Sequence, residues 1–488
     1  MAKRPHIVIF NPDQWRGDVM GHLGNPAAVT PNLDRMAGID GVSFRWAFCQ
    51  NTVCTPSRCS FMTGWYPHVR GHRTMYHMLR AHEGEMVLLK TLKDSGYFVW
   101  WGGKNDLVPA QRGFEEFCDV KYSPPRKAKI VDRPPHWRGQ PGSDTYYSFY
   151  VGRGDCGGEK FYRDGDWEAV LGAIDLLRDP PTDKPLCLYL PLSFPHPPYG
   201  VEDPWYSMID RDKVPPRTPA PPDGAKEPSI RRGIRKNQNL QGWSEDRWRE
   251  LRATYYGMCA RVDHQFGMVM EALKDAGLYD DTAVFFFSDH GDFTGDYGLV
   301  EKTQNTFEDC LSRVPFIIKP PAGVPVRPGV SDALVELVDF PATVEALTGV
   351  QPKHSHFGRS LLPVLAGQTG EHRDAVFCEG GRLRGETHCM ELQSTSTDPT
   401  GLYWPRLTLQ MQEGPEHTKA VMCRTRRYKY VRRLYESDEL YDLQADPRET
   451  DNRIDDPALA GVLAELKERM LTFFLETGDV VPPETDHR

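Results

Sequence analysis

Short apolar runs alternate along the chain with longer stretches in which apolar residues recur at helical spacing. The runs predict buried strands at residues 6–10, 42–46, 97–101, 186–192 and 282–287. Helical stretches lie between them, at residues 31–37, 86–95 and 245–276. Because strands that alternate with helices build sheets with covered faces, the pattern predicts an α/β fold with a largely parallel sheet between two layers of helices.

The character of the sequence changes after Gly349. Short strands are predicted at residues 375–379, 420–424, 428–432 and 439–441, and a final helix at residues 459–475. We therefore expect a large α/β domain at residues 1–370 and a smaller α+β subdomain at residues 371–488. The proline-rich segment 180–228 is expected to form loops that build one wall of a site.

Composition narrows the class of protein. Hydrophobic residues make up 39% and charged residues 26% of the 488 positions, as in ordinary folded proteins. The net charge of -9 argues against a nucleic-acid partner. The first apolar run is too short for a signal peptide or a membrane span, so we expect a cytoplasmic protein with no membrane partner. Eleven cysteines, an odd number, argue against a disulfide framework.

Polar residues follow three of the predicted strands directly. Asp13 and Gln14 follow the first, Lys104 follows the third, and Asp289 and His290 follow the fifth. Because the carboxyl ends of strands in an open sheet form its ligand-binding edge, we expect these residues to converge. Their oxygens and one nitrogen suit a divalent cation. The alternatives are helix N-caps for the aspartates and a buried structural role for the histidine.

A cysteine precedes a proline-started helix in the segment Cys54-Thr55-Pro56-Ser57-Arg58. The free amides and the dipole at a helix start favour anionic groups, and Arg58 lies one turn further on. This arrangement indicates an activated nucleophile beside an anion site. The alternative is that Cys54 is a buried small apolar residue, as most free cysteines are.

This segment resembles the C-x-P-x-R signature of type I sulfatases, the formylglycine-dependent family of the alkaline phosphatase superfamily. Further motifs follow in the family's order along most of the chain: Thr30-Pro31-Asn32-Leu33-Asp34, Gly103-Lys104, Pro195-His196-Pro197, Ser288-Asp289-His290-Gly291-Asp292 and Gly298-Leu299-Val300-Glu301-Lys302. The resemblance implies an alkaline-phosphatase-like sheet flanked by helices and a C-terminal subdomain with an antiparallel sheet.

The resemblance also implies a role for each motif residue. Cys54 would be converted to formylglycine by a formylglycine-generating enzyme, a transient partner, and its hydrate would attack sulfur and then expel sulfate. Arg58 would fix the hydrate. Lys104, His196 and Lys302 would bind the sulfate oxygens, and one of them would protonate the leaving alcohol. One divalent metal would be held by the following residues: Asp13, Gln14, Cys54, Asp289 and His290.

Two departures from the family pattern bear on the chemistry. Gln14 and His290 stand where many sulfatases have Asp and Asn, which resembles the subgroup of choline-sulfatase-like enzymes and phosphonate monoester hydrolases. Ca²⁺ and Mn²⁺ are the expected metals, ahead of Mg²⁺, and the nitrogen ligand makes Mn²⁺ a stronger competitor to Ca²⁺ than a set of oxygen ligands would. The histidine that usually follows the Gly-Lys motif is missing, so His77 is the predicted substitute, with Asp106 as an alternative if it is protonated or paired.

The expected activity is hydrolysis of a small aryl, alkyl or sugar sulfate monoester. One alternative is a phosphonate monoester or phosphodiester hydrolase with the same site. The other is a noncatalytic anion-binding relative in which Cys54 stays unmodified. Aromatic residues, among them Trp100, Trp101, Tyr146 and Tyr147, are candidates for the wall of a leaving-group pocket, although core packing explains each of them as well. A homo-oligomer is compatible with the sequence.

Overall fold

The computed structural model describes residues 4–125, 137–156, 163–181, 183–222, 224–391, 398–482 and 485. Its central sheet contains the following strands: β1 (His6–Asn11), β2 (Val42–Phe48), β3 (Phe98–Trp101), β4 (Val120–Lys121), β6 (Leu186–Pro191), β8 (Thr282–Phe287), β9 (Arg313–Val314), β10 (Phe316–Lys319) and β11 (Gly329–Glu336). Their order is β11-β2-β10-β8-β1-β6-β3-β4, with β9 on the end of β2. A separate two-stranded sheet pairs β5 (Tyr150–Arg153) with β7 (Tyr199–Val201).

Strand β1 lies in the middle of the sheet, with parallel neighbours on both sides. Ile7 pairs with Cys187 of β6 and with Ala283 of β8. Every residue of β1, β6 and β8 is buried, as expected for strands covered on both faces. The five strands predicted from the sequence are all present. The two antiparallel strands of the central sheet, β9 and β10, and the parallel strand β11 were not predicted.

Thirteen α-helices occur in the described residues: α1 (Pro31–Ile39), α2 (Cys54–Thr63), α3 (Pro67–Arg70), α4 (Leu88–Asp94), α5 (Gly165–Arg178), α6 (Trp205–Met208), α7 (Ser229–Gln238), α8 (Glu245–Asp275), α9 (Asp309–Ser312), α10 (Asp339–Thr348), α11 (Leu362–Leu365), α12 (Trp404–Leu407) and α13 (Ala460–Thr477). Helix α8 begins where the Ser244 hydroxyl accepts the amide of Arg247, an N-cap. Two buried apolar clusters line the sheet: α1, α5 and α8 contribute to one, and α2, α4 and α10 to the other.

The C-terminal part contains a four-stranded antiparallel sheet, as predicted. Its strands are β12 (Val376–Gly380), β13 (Ala420–Arg424), β14 (Tyr428–Arg433) and β15 (Glu439–Asp442), in that order. Helix α13 packs on this sheet, where the rings of Phe377 and Phe473 stack with their centroids 3.9 Å apart. The mixed, mainly parallel sheet with helices and this added sheet confirm the predicted fold class, whereas the boundary at residue 370 stays a prediction.

Two further features concern the chain as a whole. All eleven cysteines are free thiols. No helix among the described residues combines the length and the apolar character that a membrane span requires.

Candidate active site

The polar residues that follow β1 and β8 lie at one edge of the central sheet. Asp13 comes two residues after β1, and Asp289 comes two residues after β8. These strands are parallel neighbours, so their carboxyl ends meet. Across them, the Asn11 side-chain amide donates to the Phe287 carbonyl at 2.8 Å. The sheet therefore holds the two aspartates together in a buried position.

Cys54 reaches the same edge from the other direction, as the first residue of α2. Its Sγ lies 3.3 Å from Nε2 of His290 and 3.6 Å from Oδ1 of Asp13. Asp13, Cys54, Asp289 and His290 each place one ligand atom within 4.8 Å of the others, and all four are buried. Four of the five predicted metal ligands are thus brought together.

Arg58 joins the two aspartates from one turn further along α2. Its Nε lies 3.0 Å from Oδ2 of Asp289, and Nη2 lies 3.1 Å from Oδ2 of Asp13. Nη1 donates to Oδ1 of Asn11 at 2.9 Å. Burial alone would raise the pKa of Asp13, but the charges of Lys104 and Arg58 overcome it and hold that pKa well below its usual range. Asp13 is therefore a carboxylate.

His290 presents one ring nitrogen to the cluster. Its Nδ1 lies 2.9 Å from the Gly291 carbonyl oxygen, which only a donor can satisfy. A neutral imidazole carries a single N–H, so this bond assigns the lone pair to Nε2, on the side of Cys54. Burial, reinforced by the charge of Lys302, lowers the pKa of His290 and keeps the ring neutral.

Gln14 stands at the edge of the cluster. Its backbone is in the left-handed region, with φ 68°. Two bonds hold it there: its amide donates to Oδ1 of Asp289 at 3.0 Å, and its carbonyl accepts the Tyr255 hydroxyl at 2.7 Å. The side-chain oxygen of Gln14 accepts from Nζ of Lys302 at 2.6 Å. An unusual backbone conformation thus turns this side chain toward the site.

Lys104 supplies a positive charge beside Cys54. Its ammonium contacts the Asp13 carboxylate and lies 3.6 Å from the Cys54 sulfur. Oδ2 of Asp106 is 2.8 Å from the same ammonium. Asp106 is therefore paired, which is the condition under which a carboxylate is tolerated beside an anion site.

Lys302 and His196 supply the remaining polar groups. Lys302 is buried. Its ammonium lies 3.1 Å from Oε1 of Glu301 and also donates to the side-chain oxygen of Gln14. His196 places Nδ1 2.6 Å from the Pro197 carbonyl oxygen. Burial and then the charge of Lys302 lower the pKa of His196 well below its usual value, so this ring is neutral at pH 7.

The contacts of the His77 ring among the described residues lie outside this cluster. Its Nε2 lies 3.0 Å from the carbonyl oxygen of His388, and the two imidazole rings meet edge to face at 6.3 Å. None of its described contacts involves Cys54. The predicted role of His77 as a partner of the formylglycine hydrate stays a prediction.

The aromatic candidates pack against other aromatic side chains. Trp101 is fully buried in β3 and packs on Tyr189 at 5.4 Å, so it belongs to the core. Tyr147 stacks on Trp404 at 5.8 Å and contacts Tyr146 edge-on at 5.1 Å. Tyr146 and Tyr147 thus connect the segment before β5 to α12.

Sequence reasoning missed several residues that hold the site. The Ser57 hydroxyl donates to the Asp289 carbonyl at 2.6 Å, and Asn11 supports Arg58. The Asp292 carboxylate accepts the Tyr199 hydroxyl at 2.8 Å and also contacts the Gln14 amide. Ser57 and Asp292 lie inside the quoted motifs, and Asn11 directly precedes the Asp13 loop, so position was a usable signal. Nothing in the sequence pointed to Tyr199.

The donors at this edge fit a divalent cation. Asp13 and Asp289 offer carboxylate oxygens, and His290 offers an unprotonated nitrogen whose other side is already bonded. Arg58 fixes both carboxylates without occupying the oxygens nearest to His290. Two negative charges buried side by side against the edge of a sheet are the arrangement that a cation stabilises.

Comparisons with known proteins agree with this geometry. A family model described as Sulfatase matches residues 5–350. The multifunctional alkaline phosphatase superfamily protein PehA of Trinickia caryophylli is 26% identical over 526 aligned positions, covering 98% of this chain and 96% of that protein. The choline-sulfatase of Rhizobium meliloti is 25% identical, covering 93% of this chain and 83% of that protein. The structure of the phosphonate monoester hydrolase of Agrobacterium radiobacter superposes with a TM-score of 0.73 over 97% of this chain and 96% of that one, at 23% identity.

Fold and site together define a hydrolase of the alkaline phosphatase superfamily, with its polar cluster at the carboxyl edge of the central sheet. The likeness to the solved hydrolase establishes the architecture. Since the family model matches well over half of the residues, the chain belongs to the sulfatase family.

Proposed function

We propose that the protein hydrolyses the sulfate ester of a small alcohol or phenol, with residue 54 in the formylglycine form. The observation that carries this proposal is the position of the Cys54 sulfur. It lies 3.3 to 3.6 Å from His290, Asp13 and Lys104, at the start of a helix and inside a buried polar cluster. A cysteine that served packing would have apolar neighbours instead.

Formylglycine would supply a hydrated aldehyde at this position, an oxygen nucleophile in place of the thiol. The conversion removes sulfur and adds oxygen at Cβ, so it requires an external oxidising enzyme, the formylglycine-generating enzyme. Burial, together with the charge of Asp13, raises the pKa of the Cys54 thiol well above its usual range. The unmodified thiol is therefore un-ionised at neutral pH in the metal-free site, which argues against a thiolate nucleophile there.

A divalent metal, Ca²⁺ or Mn²⁺ in our proposal, would be held by Asp13, Asp289, His290 and residue 54, with Gln14 at the edge. Such a cation would polarise the ester and lower the pKa of the nucleophile. Arg58 holds one oxygen of each aspartate in place, which leaves the other oxygen of each for the cation.

Lys104, Lys302 and His196 are proposed to receive the sulfate group. Both ammonium groups lie beside the cluster, and their charges complement an anion whose charge grows as the ester bond breaks. We propose that one of these three side chains also protonates the leaving alcohol.

A second candidate is hydrolysis of phosphonate monoesters or phosphodiesters. The observation in its favour is the pair Gln14 and His290, an amide and an imidazole where many sulfatases have Asp and Asn, so that the site has one carboxylate fewer and is less negative. The choice between the two functions depends on how the transition state of each ester matches the charges of the site.

A substrate panel tests the proposal. Nitrophenyl sulfate, nitrophenyl phenylphosphonate and bis-nitrophenyl phosphate are compared by kcat/KM, using protein produced together with a formylglycine-generating enzyme. We expect the sulfate to have the largest kcat/KM. A larger kcat/KM for the phosphonate would reject the sulfatase assignment and favour the second candidate. Turnover of none of the three would favour a noncatalytic relative.

A further inference from the structure

A second polar cavity, of about 680 Å³, lies outside the candidate active site. It is bounded by the loops that follow β1 and β8, by the end of α9, and by the turns after β13 and β15. None of the residues proposed for metal binding or catalysis lines it. Its arginines come from both the large domain and the C-terminal sheet, and they are Arg16, Arg252, Arg313, Arg424, Arg426, Arg427 and Arg448.

The four carboxylates that line the cavity are already engaged. Asp18 lies 2.7 Å from the Arg16 guanidinium, and Asp296 lies 2.7 Å from the same group. Asp309 is shared between Arg424 at 3.0 Å and the buried ammonium of Lys429 at 2.7 Å.

The fourth carboxylate, Glu449, also contacts the ammonium of Lys429. Outside the cavity, Glu371 pairs with Arg426 and Asp442 pairs with Arg427. Arg313 and Arg448 are therefore the two arginines of the cavity that have no ion pair among the described residues.

Several guanidinium groups are left without a full set of partners among the described residues. Arg313 makes neither an ion pair nor a side-chain hydrogen bond, and its Nε is buried. The Arg448 side chain, which is exposed at the rim, likewise has no ion pair. Arg252 is 3% exposed, and its Nε is buried with no hydrogen-bond partner, although its Nη1 reaches Asp296 at 3.2 Å. An unsatisfied buried N–H is costly unless a ligand accepts it.

We propose that this cavity binds a small anion that carries several sulfate or phosphate groups. Its volume falls within the range of small-molecule sites and exceeds what a single sulfate ion would fill. Guanidinium groups pair with the oxygens of sulfate and phosphate, and a ligand that carries several such groups reaches several of the dispersed arginines at once. The chain as a whole has a net charge of -9, so this concentration of arginines is local.

Isothermal titration tests this proposal with myo-inositol hexasulfate, which holds divalent cations only weakly. The protein is the full-length, metal-loaded Cys54→Ala variant, in which the ligand is not hydrolysed. In this background Arg313→Gln and Arg448→Gln each remove one uncompensated guanidinium. Arg384→Gln is the matched control, since Arg384 is also exposed, also lacks an ion pair among the described residues, and lies outside the cavity.

We expect the hexasulfate to bind and each cavity variant to weaken that binding by about tenfold or more, with the control unchanged. Binding should also weaken in about 0.5 M NaCl. A parallel titration with myo-inositol hexakisphosphate distinguishes a phosphorylated ligand from a sulfated one. Because Arg448 is exposed, the Arg448→Gln variant should fold normally. This variant keeps the test valid if the Arg313→Gln variant does not fold.

Two results would overturn the proposal. One is the absence of binding by either probe in the background protein at low salt. The other is equal affinity in the background protein and in the Arg448→Gln variant, which would place any bound anion at the active site or elsewhere. Neither result bears on the substrate panel, so the proposed function is tested separately.

Discussion

Replacing Arg58 by methionine is the most informative perturbation of the site's framework. The guanidinium is fully buried and lies 3.1 Å from Asp13 and 2.9 Å from Asp289. Methionine retains much of the volume but leaves two buried carboxylates without their shared counter-charge. Removing one partner of a buried ion pair costs about 3–5 kcal/mol, and we expect a loss in that range for the metal-free protein.

The assay is urea unfolding followed by tryptophan fluorescence, with the free energy taken from the midpoint and the slope. A divalent metal should offset part of the loss, because it provides the missing positive charge. Arg249→Met is the control, since this arginine is exposed and pairs with Asp246 on the surface of α8, which contributes at most about 1 kcal/mol. A loss below about 1 kcal/mol for Arg58→Met would refute the idea that Arg58 balances the two aspartates.

Three further predictions concern catalysis, metal and pH. Cys54→Ala should lower multiple turnover by about a thousandfold or more with the circular dichroism spectrum unchanged, and retention of the wild-type rate would remove residue 54 from the mechanism. Asp289→Asn should weaken metal binding by about tenfold or more and should lower the rate as well. A metal titration and an activity assay measure the two effects. A normal metal affinity would contradict the proposed ligand set. His417 is buried, and burial followed by the charge of Arg406 lowers its pKa to about 3. In the unfolded chain this imidazole protonates near pH 6.5. The contribution of neutral His417 to the free energy of unfolding is therefore fully present above that pH, and it falls by about 2 kcal/mol by pH 5. Unfolding midpoints at pH 7 and pH 5 should therefore differ less in His417→Gln than in the wild type, and an equal difference would show that His417 is not the group responsible.

The central elements of the fold were predictable because their signals are local. The buried runs at 6–10 and 282–287 read as strands on their own residues, and both become parallel neighbours in the sheet. Once they are neighbours, Asp13 and Asp289 must meet at the same edge. The α/β class and the meeting of Asp13 with Asp289 therefore followed from short apolar runs and the polar residues directly after them. The roles expected of Cys54, Arg58, His196 and Lys302 came instead from the family resemblance.

What could not be predicted depends on contacts distant in sequence. Strand β10 is only four residues long and is antiparallel to both neighbours, so its place is set by tertiary pairing with Phe285 and Ser43. Tyr199 supports Asp292 across 93 positions of sequence, and no local pattern marks such a pair. His77 follows α2 in the sequence, and its ring lies against His388, a contact between residues far apart in the chain. Local sequence fixes which residues are available for the site, and long-range packing decides which of them meet.

The most direct test of the central claim is peptide mass spectrometry of the segment containing Cys54, measured together with specific activity. Conversion of cysteine to formylglycine makes the peptide lighter by about 18 Da. Across preparations made with and without a formylglycine-generating enzyme, specific activity should rise in proportion to the converted fraction. Full sulfatase activity in protein whose Cys54 is entirely unmodified would contradict the account.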